Sequence, residues 1–571
     1  MTIHFDDEKQ NQRLKELHEK EEEQLAQMLS TKYGINYTDL SKASIDTDAL
    51  RLIPEDEARQ AKIAGFNLLN KKLAVAIQTP NTQEVQNQIK RLQERGYTIE
   101  PFIVSTQSLE RAWERYNDIS FATQSKSGTL DVANNEIEKL ISEFSSIEEV
   151  KKSINEVMQM KKAFRISRIV EIIVAAGISA KASDIHVEPE DEQVRLRFRL
   201  DGVLNDVTRF DHETYKLLLS RVKLLSKLKL NIRDAAQDGR FNVNIGEKEI
   251  DIRTSILPGN NGESIVMRLL DPNSLTVPIT DLGVPEKLLK LVLDEIEKPT
   301  GMILNTGPTG SGKTTALYSF LNKRRGPSIK IITIEDPIEY HLPGIVQTQV
   351  DKNKGYTFAS GLRSSLRQDP DIIMVGEIRD SETAETAIQA ALTGHMVFST
   401  LHTNNAAGAF TRLIDLGINP KILTSAVSMA IAQRLVRKVC SHCKEEVSAE
   451  GRELEIIKKI HNHIIDPEKP EFTGKIFKSK GCKECNETGY RGRIGVFEAV
   501  ITTNEIEKII QDNPSEREIA KAAKKQGIMT MAQDGIIKVI NGITTLSEVE
   551  RVIDIDLEIE SINEENPDIN V

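Results

Sequence analysis

The chain has 571 residues, of which 39% are hydrophobic and 28% are charged, and its formal net charge at pH 7 is −11. At about 150 residues per domain, this length predicts about three to five domains, each large enough for its own core. The acidic balance argues against a general nucleic-acid binder, and an aromatic content of 5% with one Trp provides no stacking platform for bases. The apolar stretches, such as 169–178, are too short to cross a membrane.

The first part of the chain is predicted to be a separate α/β docking domain. Residues 6–29 are charge-dense and lack Gly and Pro, so we expect a solvated helix. A strand at 72–77, a helix at 82–95 and a second strand at 99–104 then form a βαβ-type unit. Because no catalytic constellation accompanies this unit, we interpret it as a docking module.

The next module carries a row of arginines. Side chains alternate between the two faces of a strand, so Arg195, Arg197 and Arg199 share one face of the predicted strand 194–200. Such a row is typical of a solvated strand face. The alternative is that some arginines of this module donate hydrogen bonds to a phosphate held by another domain.

Two further arginines of this module are the candidates we favour as phosphate donors. Arg240 precedes the strand 241–245 and Arg253 lies in the strand 250–254, and the two strands are predicted to form a hairpin. Each arginine is beside a turn or a strand end, from where it can reach outward to stabilise charge on a reacting phosphate.

The phosphate-loop pattern G-x-x-x-x-G-K-[ST] is matched by Gly307-Pro308-Thr309-Gly310-Ser311-Gly312-Lys313-Thr314. The apolar residues 302–304 predict a buried strand before the loop, and residues 315–321 predict a helix after it. The glycines let consecutive amides turn toward an anion at the start of that helix. We expect Lys313 to reach the β- and γ-phosphates, Thr314 to ligate Mg²⁺ and Thr315 to complete the nucleotide-binding set.

Acidic residues follow two buried strands of the same core. Glu335 comes directly after the strand 330–334, and the carboxyl ends of parallel strands are where open α/β sheets bind ligands. Glu377 follows the strand 372–375 in a sequence of the Walker B form, with Gly376 where the metal-binding Asp usually stands. We expect Glu377 to orient or deprotonate the attacking water.

Two histidines bracket the next strand. His395 precedes the strand 396–401, and His402 follows it. A histidine beside an apolar strand is often only a satisfied core residue, so the alternatives are a core role and a phosphate-sensing role. Because both flank a strand of a nucleotide sheet, we include both among the candidate catalytic residues.

Four cysteines form two C-x-x-C pairs, Cys440 with Cys443 and Cys482 with Cys485. Paired knuckles of this type suit tetrahedral Zn²⁺ with four thiolates, and four protein ligands leave no position for water, so the site is predicted to be structural. Redox pairs are the alternative, but neither pair lies at a βα turn of thioredoxin type. The cysteine usage, together with an acidic start that lacks a basic-then-apolar leader, favours a cytoplasmic protein.

The predicted organisation follows from these segments. Its boundaries are 1–125 for the docking domain, 126–149 for a linker, 150–271 for the arginine-bearing lobe, 272–282 for a second linker, 283–435 for the phosphate-loop core, 436–494 for the zinc-knuckle subdomain, 495–557 for a helical subdomain and 558–571 for a mobile acidic tail.

With these motifs together, the chain resembles the secretion-type ATPases, in particular those of type IV pilus assembly and type II secretion. The resemblance covers roughly residues 145–555. The motifs that carry it are Gly307 to Thr314 as Walker A, Ile334-Glu335-Asp336-Pro337-Ile338-Glu339 as the Asp box, Gly376-Glu377-Ile378-Arg379-Asp380 as Walker B, Thr393-Gly394-His395 through Thr400-Leu401-His402-Thr403 as the His box, and Gln433-Arg434-Leu435-Val436-Arg437 before the cysteines.

The resemblance implies a multidomain α/β fold. A P-loop, RecA-like ATPase core would follow a PAS-like α+β lobe and a separate N-terminal α/β docking domain, and would carry the tetra-cysteine zinc subdomain. It also implies ATP, Mg²⁺ and Zn²⁺ as cofactors, and a homohexamer peripheral to the inner face of the cytoplasmic membrane. The expected partners are an inner-membrane platform protein and a docking protein of the pilus or secretion machine, with no nucleic acid.

The most specific function implied is hydrolysis of ATP to extract pilins and polymerise them. Retraction ATPases of the family lack the cysteine knuckle and the extra N-terminal module, so the presence of both favours assembly or secretion. A type II secretion ATPase is the alternative, and a DNA-translocating motor is a more distant one. In some relatives the N-terminal domain binds cyclic di-GMP, but the arginine- and leucine-patterned motif is not found in residues 20–120, so the sequence leaves open whether this domain binds a second messenger.

Overall fold

The computed structural model describes residues 21–40, 45–50, 52–69, 71–118, 123–124, 129–131, 140–141, 144, 147–158, 162–245, 248–271, 277–512 and 514–565. The chain divides into two compact units. The first comprises Met1–Ile137, Lys152–Ile173 and His212–Leu225, and the second comprises Glu138–Lys151, Val174–Asp211 and Ser226–Val571. Within the described part of the chain, no helix is long and apolar enough to cross a membrane.

The first unit contains a small mixed sheet. Its elements are α1 (residues 21–33), α2 (Thr47–Leu50), α3 (Glu55–Ala61), β1 (Ile63–Leu69), β2 (Lys72–Ile77), α4 (Gln83–Glu94), β3 (Thr98–Ile103) and α5 (Thr106–Glu114). β1 and β2 pair antiparallel, whereas β2 and β3 pair parallel with α4 as the crossover. The predicted βαβ-type unit is therefore confirmed. Of the predicted helix 6–29, residues 21–29 belong to α1 and the rest lies outside the described residues.

Close packing holds this sheet to its helices. A Cβ at Gly65 of β1 would lie 2.3 Å from the carbonyl oxygen of Ala49 in α2, so a side chain there would force the two elements apart. The buried indole of Trp113 in α5 donates a hydrogen bond of 3.1 Å to the carbonyl of Ile63. This bond satisfies the polar end of the indole while its apolar face fills the core.

A short hairpin and three helices follow. They are β4 (Thr123–Gln124), β5 (Thr129–Asp131), α6 (Ile147–Met158), α7 (Lys162–Ser179) and α8 (His212–Leu225). Most of the predicted linker 126–149 lies outside the described residues, and α6 begins within it.

The arginine-bearing strands form an antiparallel sheet in the second unit. They are β6 (Asp184–Pro189), β7 (Val194–Leu200), β8 (Val203–Phe210), β9 (Gln237–Ile245), β10 (Lys248–Gly259) and β11 (Gly262–Leu270), in the order β9-β10-β11-β6-β7-β8. β9 and β10 form the predicted hairpin, whose tip at 246–247 lies outside the described residues. Along β7 buried and half-buried residues alternate, as the sequence predicts.

The core of the second unit is a seven-stranded sheet in the order β14-β13-β15-β16-β12-β17-β20. Its strands are β12 (Gly301–Thr306), β13 (Ile331–Glu335), β14 (Val346–Gln349), β15 (Ile372–Val375), β16 (Met396–Leu401), β17 (Val427–Val439) and β20 (Tyr490–Ile501), and a separate pair consists of β18 (Lys444–Ser448) and β19 (Lys475–Ser479). β20 runs antiparallel to β17, and the other neighbours are parallel. The parallel strands therefore end at one common edge, which is where ligands bind in such sheets.

Helices cover this sheet and extend beyond it. They are α9 (Glu286–Ile296), α10 (Lys313–Arg324), α11 (Phe358–Ser365), α12 (Ser381–Leu392), α13 (Ala407–Asp415), α14 (Pro420–Ala426), α15 (Gly451–Asn462), α16 (Asn504–Asp512), α17 (Glu516–Ala523), α18 (Met531–Ile540), α19 (Leu546–Val552) and α20 (Ile555–Glu565). Strands β13, β15 and β16 are buried at every position, as expected for strands covered on both faces.

The end of the chain differs from the prediction of a mobile acidic tail. Residues 558–565 continue the helix α20, and Ile562 is buried in the main hydrophobic core of this unit. The apolar residues spaced along this acidic segment give it a face to bury, which its charge alone does not reveal. Residues 566–571 lie outside the described part.

A charged cluster joins α19 to the long strands β17 and β20. Arg437 donates to the carboxylate of Glu548, and its guanidinium lies 4.1 Å from the centre of the Tyr490 ring. Arg551 also donates to Glu548, at 2.8 Å. Burial alone would raise the pKa of Glu548, but the hydrogen bonds from the two arginines outweigh it and lower the pKa to about 2.

Replacing Glu548 is expected to destabilise the protein in a pH-dependent way. The folded pKa lies below the unfolded value of about 4.3, so the contribution of Glu548 is complete above that pH and is lost as the pH falls toward 2. Glu548→Gln should cost about 3 kcal/mol at pH 7, because it leaves Arg437 without a compensating charge. Thermal unfolding of both proteins should show the difference shrinking as the pH falls through this window.

The matched control is Glu550→Gln, on the same helix, whose partner Arg452 is 66% exposed. This variant should differ from the parent by less than about 1 kcal/mol. A constant difference between parent and Glu548→Gln at all pH values would contradict the assigned ion pair.

Candidate active site

The phosphate loop leaves the end of β12 and passes directly over β17. A Cβ at Gly307 would lie 2.6 Å from the carbonyl oxygen of Gln433, and a Cβ at Gly312 would lie 2.8 Å from the side-chain nitrogen of Gln433. Both glycines also have positive φ, of 150° and 90°. Glycine is therefore required at both positions, because a Cβ at Gly307 would meet the backbone of β17 and the positive φ of Gly312 would strain any other residue. The predicted strand, loop and helix are confirmed.

Lys313, the first residue of α10, is folded back over the loop. Its ammonium group donates to the carbonyl oxygens of Gly307, at 2.6 Å, and Pro308, at 3.1 Å, and the residue is only 9% exposed. Burial lowers the pKa of Lys313 to about 8; the charge of Glu377 opposes this shift and that of Arg434 adds to it. The hydrogen bonds of the ammonium group thus go to carbonyl oxygens, and among the described residues no carboxylate is bonded to it.

The loop residues fit a bound polyphosphate. The hydroxyl oxygen of Ser311 is buried and has no hydrogen-bond partner among the described residues. A bound phosphate would supply the partner that a buried hydroxyl normally has. Thr314 and Thr315 lie half-buried in the first turn of α10, beside Lys313. In phosphate loops a Ser or Thr hydroxyl at the position of Thr314 ligates Mg²⁺.

Glu377 is brought to the same sheet edge as the loop. It follows β15, is 14% exposed, and its carboxylate lies 2.5 Å from Arg379 and 3.5 Å from the ring nitrogen Nε2 of His402. The strand ends are fixed by bonds from Ile378 to the carbonyl of Thr400 and from the hydroxyl of Thr400 to the carbonyl of Gly376. The structure therefore brings together Lys313, Glu377 and His402, three residues that the sequence singled out separately.

Glu335 reaches the expected strand end but does not face the solvent there. It is 3% exposed, and its carboxylate accepts hydrogen bonds from Tyr318, Thr333 and Gln347, the last two at 2.5 and 3.1 Å. Burial raises the pKa of Glu335, and these bonds oppose the shift. A carboxylate enclosed in this way braces α10 against β13, and in this geometry it is not placed to act on a water molecule.

His395 is placed away from the phosphate loop, contrary to the prediction. It lies before β16, at the edge of the sheet where β12 begins, and its Nδ1 is 3.0 Å from the carbonyl of Ala390. β16 has six residues, so about 20 Å of strand separates His395 from the edge that carries His402. Residues that bracket a strand necessarily lie at opposite edges of the sheet, which is why only one of the two histidines reaches the site.

The arginines of the lobe fall into two groups. Arg195, Arg197 and Arg199 share one face of β7, as predicted, but each is paired with a carboxylate of the same sheet. These partners are Asp206, Glu188 and Asp184, at 2.7, 2.5 and 3.2 Å. The three arginines therefore belong to a surface ion-pair network of the lobe, and the predicted alternative of a phosphate contact is not favoured for them.

Arg240 and Arg253 face each other directly across β9 and β10. Arg240 is exposed, and no hydrogen bond or ion pair joins it to another described residue. Arg253 donates to the carbonyl of Ile338 at 2.7 Å and to Glu339 at 3.2 Å, in the first half of the loop that follows β13. Like charges placed opposite each other in a sheet are unfavourable, so this pair has no evident role in stabilising the lobe itself.

The four cysteines converge as predicted. Their sulfur atoms all lie within 4.8 Å of one another, with Cys440–Cys482 and Cys443–Cys485 both at 3.9 Å and Cys482–Cys485 at 3.7 Å. Four thiolates about 2.3 Å from a tetrahedral Zn²⁺ are about 3.8 Å apart, so these spacings fit the ion. They do not fit disulfides, whose sulfur atoms are about 2 Å apart.

Several residues around the site were not singled out from the sequence. Tyr318 and Gln347 hold Glu335, and Arg379 pairs with Glu377. Arg434 lies beside the phosphate loop with its side chain buried. For Arg434 one signal was present, since it lies in the stretch Gln433-Arg434-Leu435-Val436-Arg437 that carries part of the resemblance.

The chain was compared with known proteins. Residues 159–551 match the family model described as "Type II/IV secretion system protein", and residues 33–123 match the MshEN domain model. The type II secretion system protein E of Pseudomonas aeruginosa is 45% identical over 70% of this chain and 77% of its own length. The type IV pilus assembly ATPase PilB is 37% identical in two species. That of Myxococcus xanthus matches over 93% of this chain and 91% of its own length, and that of Pseudomonas aeruginosa over 92% and 90%.

These matches extend through the phosphate loop, Glu377 and all four cysteines, the features that the geometry brings into two sites. They agree with the resemblance drawn from the motifs, and with the α/β fold of a phosphate-loop core that carries a cysteine cluster. The chain belongs to the type II/IV secretion system protein family and is one of its ATPases.

Proposed function

We propose that this chain is the motor ATPase of type IV pilus assembly, hydrolysing ATP to drive pilin extraction and polymerisation through an inner-membrane platform protein. The observation that carries the proposal is the convergence of Lys313, Glu377 and His402 at the carboxyl edge of one parallel sheet. Phosphoryl transfer to water needs positioning and charge neutralisation more than covalent chemistry, and this edge supplies both. Likeness to pilus assembly ATPases along more than nine-tenths of the chain supports the pilus in particular.

In the proposed mechanism the loop amides, the ammonium group of Lys313 and the hydroxyl of Ser311 bind the phosphates. The hydroxyl of Thr314 would hold Mg²⁺, which neutralises phosphate charge when it is bound. Glu377 orients the attacking water and accepts its proton, and His402 orients the carboxylate of Glu377. Closure of the lobe that carries Arg240 and Arg253 would add guanidinium donors to the γ-phosphate.

The proposed assembly is a homohexamer bound peripherally to the cytoplasmic face of the inner membrane. The N-terminal unit, with its own sheet and core, would dock on a cytoplasmic or membrane-anchored protein of the machine. The second candidate function is type II secretion, supported by the higher identity of 45% over a shorter stretch. Loss of surface pili, with normal export of folded enzymes, in a deletion strain would decide for pilus assembly, and the reverse result for secretion.

Removing the carboxylate of Glu377 is expected to stop hydrolysis without preventing ATP binding. Glu377→Gln keeps the size of the side chain but cannot accept the proton of the water, so turnover should fall by about 10²–10⁴. The control is Glu382→Gln on α12, 64% exposed and paired with Arg363. Steady-state phosphate release and nucleotide-binding calorimetry measure the two effects. Parent-like turnover in Glu377→Gln would show that another group acts as the base.

The cysteine cluster is expected to hold one Zn²⁺ per chain. Because metal binding is coupled to folding in such sites, Cys482→Ser should lose the ion and make β18, β19 and their surroundings sensitive to protease. The control is His442→Ala, an exposed residue between Cys440 and Cys443 that should retain the ion if all four ligands are thiolates. Elemental analysis of protein purified in reducing buffer measures the content. A parent well below one zinc per chain would refute the site.

The two facing arginines are expected to act on turnover rather than on binding. Arg240→Ala and Arg253→Ala should each lower turnover at saturating ATP by at least about tenfold, since a guanidinium at the γ-phosphate stabilises charge mainly in the transition state. Arg195→Ala, which removes an arginine held by Asp206, is the control and should retain turnover. If all three variants match the parent, the role of the lobe is mechanical and the phosphate donors lie elsewhere.

A further inference from the structure

Arg434 lies under the phosphate loop although it belongs to a different segment of the chain. Its strand, β17, runs beside β12, and Thr306 at the end of β12 is opposite Ala432. Arg434 therefore follows just beyond the point where β12 turns into the loop. Its guanidinium nitrogen NH1 is 3.1 Å from the position that a Cβ on Gly307 would occupy, and the residue is 9% exposed.

The hydrogen bonds of Arg434 go to neutral groups. It donates to its neighbour's carbonyl, on Gln433, at 3.1 Å and to the carbonyl of Asn404 at 2.7 Å. Within the described part of the chain it forms no ion pair. Burial lowers the pKa of Arg434, and the charge of Glu498 opposes this shift. The carboxylate of Glu498 itself accepts bonds from the backbone amides of Ala406 and Met531.

Two buried cations thus lie side by side at this edge, and both donate to carbonyls only. The ammonium group of Lys313 is bonded to Gly307 and Pro308, and the guanidinium of Arg434 to Gln433 and Asn404. Burying a charge is unfavourable, and a like charge nearby adds to the cost. A neutral side chain could satisfy the same carbonyls without that cost. The positive charge of these two side chains is therefore explained if an anion binds at this edge.

Arg434 also connects the loop to the segment that carries His402. Asn404, whose carbonyl it binds, lies next to Thr403, and Thr403 is bonded through its backbone amide and its hydroxyl to the hydroxyl of Thr306, at 2.9 and 2.7 Å. His402 precedes Thr403 and contacts Glu377. The guanidinium thus lies against Gly307 at the start of the phosphate loop and is bonded to Asn404 in the segment that follows His402.

We propose that Arg434 is a positioning residue of the ATP site, which ties residues 402–404, and through them His402, to the phosphate loop and adds a second cation beneath the bound phosphates. The inference rests on the proposed ATPase function, and it assigns a role to a residue outside the Walker A, Walker B, Asp-box and His-box motifs. Arg434 would then make two separate contributions. Its charge would act on nucleotide affinity, and its hydrogen bonds to Gln433 and Asn404 would act on turnover.

The test uses the full-length protein and three variants. Arg434→Gln removes the charge. Arg434→Lys keeps the charge but lacks the guanidinium nitrogen that bonds the carbonyl of Asn404. Lys438→Gln is the control, an exposed cation on the same strand. Affinity for a non-hydrolysable ATP analogue with Mg²⁺ is measured by calorimetry. Turnover is measured at saturating ATP.

The two Arg434 variants should differ in whether affinity or turnover changes. Arg434→Gln should bind the analogue about tenfold or more weakly than the parent, because it removes one of the two cations beside the loop. Arg434→Lys should keep the affinity of the parent but lose about tenfold in turnover. A merely structural role would lower affinity and turnover alike in both variants and would not separate the two measurements.

The remaining outcomes would contradict either the inference on Arg434 or the proposed function. If Arg434→Gln binds the analogue like the parent, the inference is wrong while the ATPase assignment stands. If Arg434→Gln does not fold, Arg434→Lys decides, and parent-like turnover in that variant refutes the positioning role. If the parent itself neither binds nor hydrolyses ATP, the proposed function fails, and this inference with it.

Discussion

The close packing of the phosphate loop on β17 is the contact on which the nucleotide site depends. The loop approaches the backbone of Gln433 so closely that position 307 has no room for a Cβ, and position 312 lies against the side chain of the same residue. This contact sets the height of the loop above the sheet, and hence the position of Lys313 relative to Glu377. It also encloses Lys313, and burial is the main reason that its pKa is lowered to about 8. One steric constraint thus determines both the geometry and the electrostatics of the site.

The same strand links the nucleotide site to the cysteine cluster. β17 and β20 pair from Met429 opposite Ile501 to Val439 opposite Tyr490, and Cys440 and Cys485 lie close to the far end of this ribbon. There the two strands have left the parallel sheet, and an isolated pair of strands is only marginally stable. The ion-pair cluster of Glu548 and a metal held by the four thiolates would both restrain this end. A metal ion at the cysteine cluster would therefore stabilise the fold and need have no role in catalysis.

The sequence predicts those features that local patterns determine. The phosphate loop, the Walker B segment and the two cysteine pairs are each defined within a few consecutive residues, and the structure brings each to the expected place. Side-chain direction was not predictable in the same way. Glu335 is turned inward because Tyr318 and Gln347, from two other elements, donate to its carboxylate. The position of Arg434 under the loop depends on β17 being the neighbour of β12, and strand order is not encoded in any local pattern.

The contact between Arg253 and Glu339 bears on whether the lobe can serve the site. Arg253 donates hydrogen bonds to Glu339 and to the carbonyl of Ile338. Both charged side chains are partly exposed, at 28% and 35%, and ion pairs of this kind contribute about 0–1 kcal/mol. A charge-assisted, bidentate bond to phosphate is stronger than this. The existing pair is therefore too weak to prevent Arg253 from moving to a nucleotide, as the proposed closure would require. The pair holds the arginine beside the segment that follows the carboxyl end of β13, at the sheet edge from which the phosphate loop also leaves.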